Sequence, residues 1–246
     1  MQLPPLPASA LRAGANHFLA LAGEAARVLA AARVCPRRFH ARFSARQRTY
    51  VYRLHAAREP PALAQRAAVW HVKAPAGVDV GAMRAAAAAL IGRNDFSAFR
   101  GAGCGASSSL RTLSRLDVHA APPWRAHPSP PPWLPRDAWA DAHTAATAPT
   151  TADAATSVVV TAAAPSFVYH QVRMMVGCLA AVGTGRLAPE RVAELLAGRD
   201  SSRCPAMAPP HGLYLADVAY PPEALAPPSD DADGDASTAS ELLAGV

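Results

Sequence analysis

The 246 residues carry 24 Lys and Arg against 18 Asp and Glu, and Ala makes up about a quarter of the chain. The length is enough for one large domain with a true core, and no run of 18 uncharged apolar residues reads as a membrane span. The net charge of +6 conceals an asymmetry: residues 222–246 hold six acids and no base, so residues 1–221 carry +12, and Lys73 is their only Lys. An Arg-dominated body suits phosphate-rich partners, because guanidinium makes forked bonds to phosphate oxygens and stacks on bases.

In chain order, the N-terminal MQLPPLPASALRAG lacks the charged and apolar regions of a secretory signal. The expected location is therefore intracellular, cytoplasmic or organellar. With Ala so abundant, Ala-rich stretches carry little helix information. Cys35, Cys104, Cys178 and Cys204 are widely spaced with no C-x-x-C, and the nine His show no H-x-x-x-H spacing, so neither a metal site nor a disulfide framework is expected.

The segment 33–53 holds Arg33, Arg37, Arg38, Arg42, Arg46, Arg48 and Arg53 without an acid, interleaved with Phe39, His40, Phe43, Tyr50 and Tyr52. Such a stretch reads either as a solvated basic loop or as an RNA contact, with charges on phosphates and rings on bases. Within it, Thr49–His55 alternates as a strand with Tyr50, Tyr52 and Leu54 on one face, and Ala68–Lys73 is a second short strand. Asp79–Ile91 predicts a helix capped by Asp79 and stopped at Gly92, with a turn at Asn94-Asp95. Gly101, Gly103 and Gly105 mimic a phosphate loop, but no strand leads in, and the spacing differs from a dinucleotide fingerprint.

Leu113–Ala120 alternates with Leu116 and Val118 on one face. Residues 121–156 are Pro-, Ala- and Thr-rich and read as an irregular insertion. Beyond it come a strand at Ser157–Ala162, a helix over Ser166–Gly183, a short helix at Pro189–Ala197 and a final strand at Leu213–Tyr220. On the long helix Val168, Val172, Met175, Val176 and Leu179 form a core stripe, and His170, Arg173 and Gly177 share another face. Gly177 removes bulk beside Arg173, and Arg173 itself either reaches water or pairs with a buried anion. From Pro221 the chain reads as an acidic disordered tail. The class expected is α+β, a mixed or antiparallel sheet with helices on one face. It forms a single domain from residues 1–120 and 157–220.

Four blocks in order, PRRFHARFSARQRTYVYRL, LIGRNDFSAFR followed by GC and LRTL, SFVYHQVRMMVGCLAAVGTG and HGLYLADVAY, resemble the TruA family of tRNA pseudouridine synthases. The resemblance implies cofactor-free isomerisation of uridine in tRNA by a protein that pairs as a homodimer. It also implies a catalytic Asp, a Tyr packed against the target base and a basic partner for the Asp. By motif match Tyr50 is the base-packing residue and Arg173 the partner of the Asp, with Arg37, Arg38, Arg42, Arg46 and Arg48 on the RNA backbone. The family's Asp lies in an R-T-D-x-G-V-H-A string upstream of F-H-A-R-F-S-A, and no such string occurs in these 246 residues. Asp79, Asp95, Asp117 and Asp217 lack its neighbours. The expectation is a chain that begins just after the catalytic segment and is inactive alone. Its alternatives are a non-catalytic tRNA-binding remnant or a dimerisation partner of a full-length copy.

Overall fold

The computed structural model of the chain describes residues 6–34, 39–61, 63–121 and 156–225. They fall in two compact units, Met1–Ala45 with Tyr220–Val246, and Arg46–Ala219. Nearly all of the proposed 121–156 insertion, and the tail beyond residue 225, lie outside the described residues.

In the first unit helix α1 (Ala8–Leu21) buries none of its residues. It is held to the following chain by Asn16, whose amide donates to the Val28 carbonyl at 2.9 Å and accepts from the Val28 N–H at 2.8 Å. The FHARFS string forms a turn: His40 Nδ1 accepts from the N–H groups of Arg42 and Phe43, and Ser44 Oγ accepts from His40 N. Tyr220 packs on Phe39 and donates from its hydroxyl to Ala41 O. Pro222–Leu225, at the head of the acidic tail, form one helical turn.

The second unit is built on strands β1 (Gln47–Ala57), β2 (Trp70–Lys73), β5 (Arg115–Ala121), β6 (Thr156–Ala164) and β7 (Leu213–Ala219), with a separate hairpin of β3 (Gly92–Asp95) and β4 (Leu110–Leu113). Strand β1 is the hub. Antiparallel β6 runs along one edge from Arg48 to Ala56, and β5 follows outside it. The other edge is shared by antiparallel β7 along Gln47–Tyr52 and parallel β2 along Leu54–Ala57. The sheet is thus mixed, as expected, and β6, paired along both edges, is buried along almost its whole length.

Because side chains alternate along a strand, Tyr52 and Leu54 of β1, Leu116 and Val118 of β5, and Val158, Val160 and Ala162 of β6 share one face. They meet helices α2 (Val80–Ala88) and α3 (Gln171–Gly183) in the core, with Val192 and Leu195 of α4 (Glu190–Gly198) completing it. Leu90, Phe96, Phe99, Met175 and Leu179 are fully buried, each contributing about 1.5–3 kcal/mol by leaving water. Helices α2 and α3 pack closely because Gly183 has no side chain; a Cβ there would stand 2.6 Å from Met83 Sδ.

Three local expectations are corrected. The helix after Asp79 is capped by that side chain, which accepts from Ala82 N at 2.8 Å, but it ends at Ala88 rather than Ile91. Gly92, at φ +98°, opens β3, and Asn94-Asp95 belong to that strand, paired with Arg111 and Leu110, instead of forming a turn. The long helix starts at Gln171, not Ser166. Residues 166–170 are held out of helical geometry by one local and one tertiary bond: Gln171 Oε1 takes the Val168 N–H, and Tyr169 O takes the Gly101 N–H. His170 then closes the break at φ +62°.

Candidate active site

Strand β1 places Arg48, Tyr50 and Tyr52 in sequence on the helix-bearing face. Tyr50 is half-buried between Ala162 of β6 and Leu215 of β7, and a bulge in the β1–β7 ladder falls between Thr49 and Tyr50. Bulges re-aim side chains at the ends of pairing. The Tyr50 ring meets the edge of Phe167 at 5.2 Å and 84°. Phe167 lies in the non-helical segment ahead of α3, whose start is tied to β1 by Arg48 Nη1 donating to Pro165 O at 2.5 Å.

Tyr52 is fully buried. Its hydroxyl donates to Pro209 O at 2.6 Å, and burial pushes its pKa well above the usual phenol range, opposed by the nearby positive charge of Arg173. The adjoining Ala208 is bonded twice to Arg173: its carbonyl accepts from Arg173 Nε at 2.7 Å and its N–H donates to Arg173 O at 3.1 Å. Arg173 is half-buried, and its two Nη groups make no hydrogen bond among the described residues. Gly177, one turn along α3, admits the 204–209 segment that carries these carbonyls, since a Cβ there would meet Ala206 O at 2.3 Å. The expected close approach beside Arg173 is therefore made by backbone. His170, expected to share the helical face of Arg173, lies outside the helix. It stacks on Tyr169 at 3.6 Å, with its pKa lowered by burial and then by Arg173.

The carboxylates are elsewhere. Asp79 caps α2, Asp95 accepts from Ser97 and pairs with Arg199 at 3.2 Å, and Asp117 pairs with Arg115. Asp217 is exposed on β7. None pairs with Arg173 among the described residues. The glycine-rich loop is likewise not a phosphate cradle: Arg100 fills it, donating to the carbonyls of Cys104 and Ala106 and to Ser109 Oγ.

Of the other predicted RNA contacts, Arg46 is exposed just ahead of β1, and Arg42 is exposed on the FHARFS turn with its guanidinium 5.7 Å from the Phe43 ring. Arg37 and Arg38 lie outside the described residues. Sequence reasoning passed over Phe167, visible only as the second letter of SFVYHQVR, and the anchoring role of Tyr52. It also had no means of pairing Cys178 with Cys204, two free thiols that share a hydrogen bond while Cys204 Sγ donates to Ala98 O.

No helix among the described residues is long and apolar enough to cross a membrane, and no group of three or more His, Cys, Asp and Glu there could hold a metal ion. Removing the Tyr52 hydroxyl tests the anchor: Tyr52→Phe is expected to lower stability by about 1–2 kcal/mol in urea unfolding, because Pro209 O loses its donor in a buried place. An unchanged midpoint would show that the hydroxyl holds nothing.

A family model described as tRNA pseudouridine synthase matches residues 86–221. The chain is similar to the tRNA pseudouridine synthase A of Methylobacterium nodulans, 44% identical over 201 residues that cover 82% of this chain and 65% of the relative. The same-named protein of Methylobacterium radiotolerans is 43% identical, over 78% of this chain and 63% of the relative. That of Mesorhizobium japonicum is 37% identical over 88% and 73%. The chain thus spans a little under two thirds of the length of the first two relatives. A family match across α3, the 204–209 segment and β7, together with relatives that extend it over β1, shows that the chain belongs to the tRNA pseudouridine synthase family.

Proposed function

We propose that this chain is the larger part of a tRNA-modifying isomerase that converts uridine to pseudouridine, and that the 246 residues alone do not turn over. The observation that carries this reading is Arg173, fixed through Nε at Ala208 O, with no hydrogen bond to either Nη group among the described residues. A guanidinium held this way is presented to an anion, and the family's catalytic carboxylate is the group that the resemblance puts there. No R-T-D-x-G-V-H-A string occurs in the sequence to supply it.

In the reaction the C1′–N1 bond of the target uridine breaks and the base rejoins the sugar through C5; C5 gives up its proton and N1 takes one up, so that no atom is gained or lost. Tyr50, braced by Phe167, provides a flat surface against which an unstacked uracil packs. Arg173 keeps the attacking carboxylate ionised in a water-poor site, where an isolated carboxylate would take up a proton. Arg42, Arg46 and Arg48, with Arg37 and Arg38, bind phosphates of the tRNA. No cofactor enters this scheme, and pairing of two copies as a homodimer is part of it.

Retention of the basic residues also favours a second reading, tRNA binding without turnover. The purified chain, incubated with a tRNA transcript labelled with tritium at uridine C5, is expected to bind tRNA with steep salt dependence and to release no tritium. Tritium release that depends on Tyr50 and Arg173 would overturn the claim of inactivity. Activity gained on adding an upstream segment that bears the Asp separates a synthase from a binding remnant. Failure to gain it leaves the remnant.

A further inference from the structure

Residues of β1 that point away from the helices line a cavity of about 180 Å³ on the opposite face of the sheet. Its walls include Arg53 and His55 of β1, Ser157 of β6, and Gln65 and Val69 from the segment ahead of β2. The register explains the grouping: His55 lies directly across from Ser157, and Arg53 across from Val159, so their side chains emerge together. Tyr214 contacts two of the lining residues, with the Arg53 guanidinium 4.9 Å from its ring centre and its hydroxyl donating to Ala68 O.

The chemistry of this lining is one-sided. Arg53 Nε is buried and has no hydrogen-bond partner among the described residues. Arg53 as a whole is half-buried, but a buried guanidinium N–H left unpaired is costly and calls for an acceptor, best an anion. Among the described residues no Asp or Glu lines the cavity. Burial, and then the neighbouring His71, hold the His55 pKa below its ordinary value, which favours neutral imidazole, and among the described residues Arg53 is the one charge in the lining. The Gln65 amide and the Ser157 hydroxyl add donors. The volume far exceeds the roughly 10–15 Å³ that one water needs.

The geometry points to a binding site for a single phosphate group, held by Arg53 with Gln65 and Ser157, on the sheet face opposite Tyr50 and Arg173. The phosphate is either free inorganic phosphate or a phosphodiester of bound RNA. The site does not rest on the isomerase reading, since it needs neither a catalytic carboxylate nor turnover.

The test follows the backbone N–H resonances of His55 and Ser157, which line the cavity and are kept in every variant, by NMR of the whole chain during titration with inorganic phosphate, against chloride at equal ionic strength. A saturable shift with phosphate and none with chloride is expected, with the midpoint raised at least ~10-fold in Arg53→Gln and more modestly in Gln65→Leu, which leaves the β1 side chains in place. Circular dichroism checks that both variants remain folded. A tRNA transcript that occupies the site and excludes phosphate identifies the phosphodiester as the ligand. Phosphate binding undisturbed by tRNA identifies the free ion. No saturable shift, an equal shift in chloride, or wild-type phosphate binding by both folded variants would overturn the site. Loss of tRNA binding with phosphate binding intact would count against the RNA reading alone.

Discussion

Arg173→Ala, in a chain extended by a segment that carries the catalytic carboxylate, is expected to slow pseudouridine formation about 100–1000-fold while changing tRNA affinity less than about threefold. Removing one partner of a desolvated ion pair costs about 3–5 kcal/mol, because the other charge is left buried and unbalanced, and each 1.36 kcal/mol is tenfold in rate. The carboxylate would respond by taking a proton and ceasing to be a nucleophile. The loss therefore falls on the chemical step rather than on binding. Arg173→Lys should restore only part of it: an ammonium supplies the charge, but not the fork that bonds Ala208 O through Nε and an anion through Nη. Single-turnover tritium release beside filter binding separates the two effects. If affinity fell in step with the rate, Arg173 would be a phosphate contact instead.

Gly177→Ala should have the largest effect on stability, about 2–3 kcal/mol, seen as a fall of roughly 5–10 °C in melting temperature. Glycine costs a helix about 1 kcal/mol relative to alanine, so propensity alone predicts the opposite sign. The decisive contact is Ala206 O, 2.3 Å from where the new Cβ would stand, with Ala208 N at 3.3 Å. These are backbone atoms and cannot swing aside as a side-chain end would. The 204–209 segment must move, and with it go the Ala208 bonds to Arg173 and the Pro209 bond to Tyr52. In the extended chain the same change should therefore reduce activity at temperatures where the protein is still folded. Stabilisation by the alanine would show that the segment is free to shift.

The sheet was readable because its strands have one dominant period. Alternation in TYVYRLH and the unbroken apolar SVVVTA identify two strands, the second of them buried, and β1 and β6 are those strands, paired with each other. The helices were readable in their middles and not at their ends. Val172, Met175, Val176 and Leu179 fall on the core side of α3 as their spacing requires. The start of α3, however, is set by Gly101 and Tyr169, 68 residues apart in the chain, and no local pattern records that bond. Gly92 likewise carries the positive φ of a helix stop, yet serves a strand because Leu113 is there to pair with it.

Tyr50 and Arg173 were marked by the strings that carry the family resemblance. What those strings leave out is the means of holding them. Phe167 braces Tyr50, and the carbonyls of Ala208 and Pro209 fix Arg173 and Tyr52. A carbonyl has no letter of its own, so backbone acceptors are invisible until the chain is folded.

By itself the sequence determined an Arg-rich body of net +12, the strand and helix cores, the family resemblance and the lack of its Asp-bearing string. Tertiary structure alone decided where helices begin, which thiols meet, and that Arg53 leaves the basic stretch to face a cavity lined by residues up to 106 positions distant. The reason is physical. Periodicity and charge are local properties of the chain, whereas burial of a polar atom without a partner exists only once distant segments have closed around it.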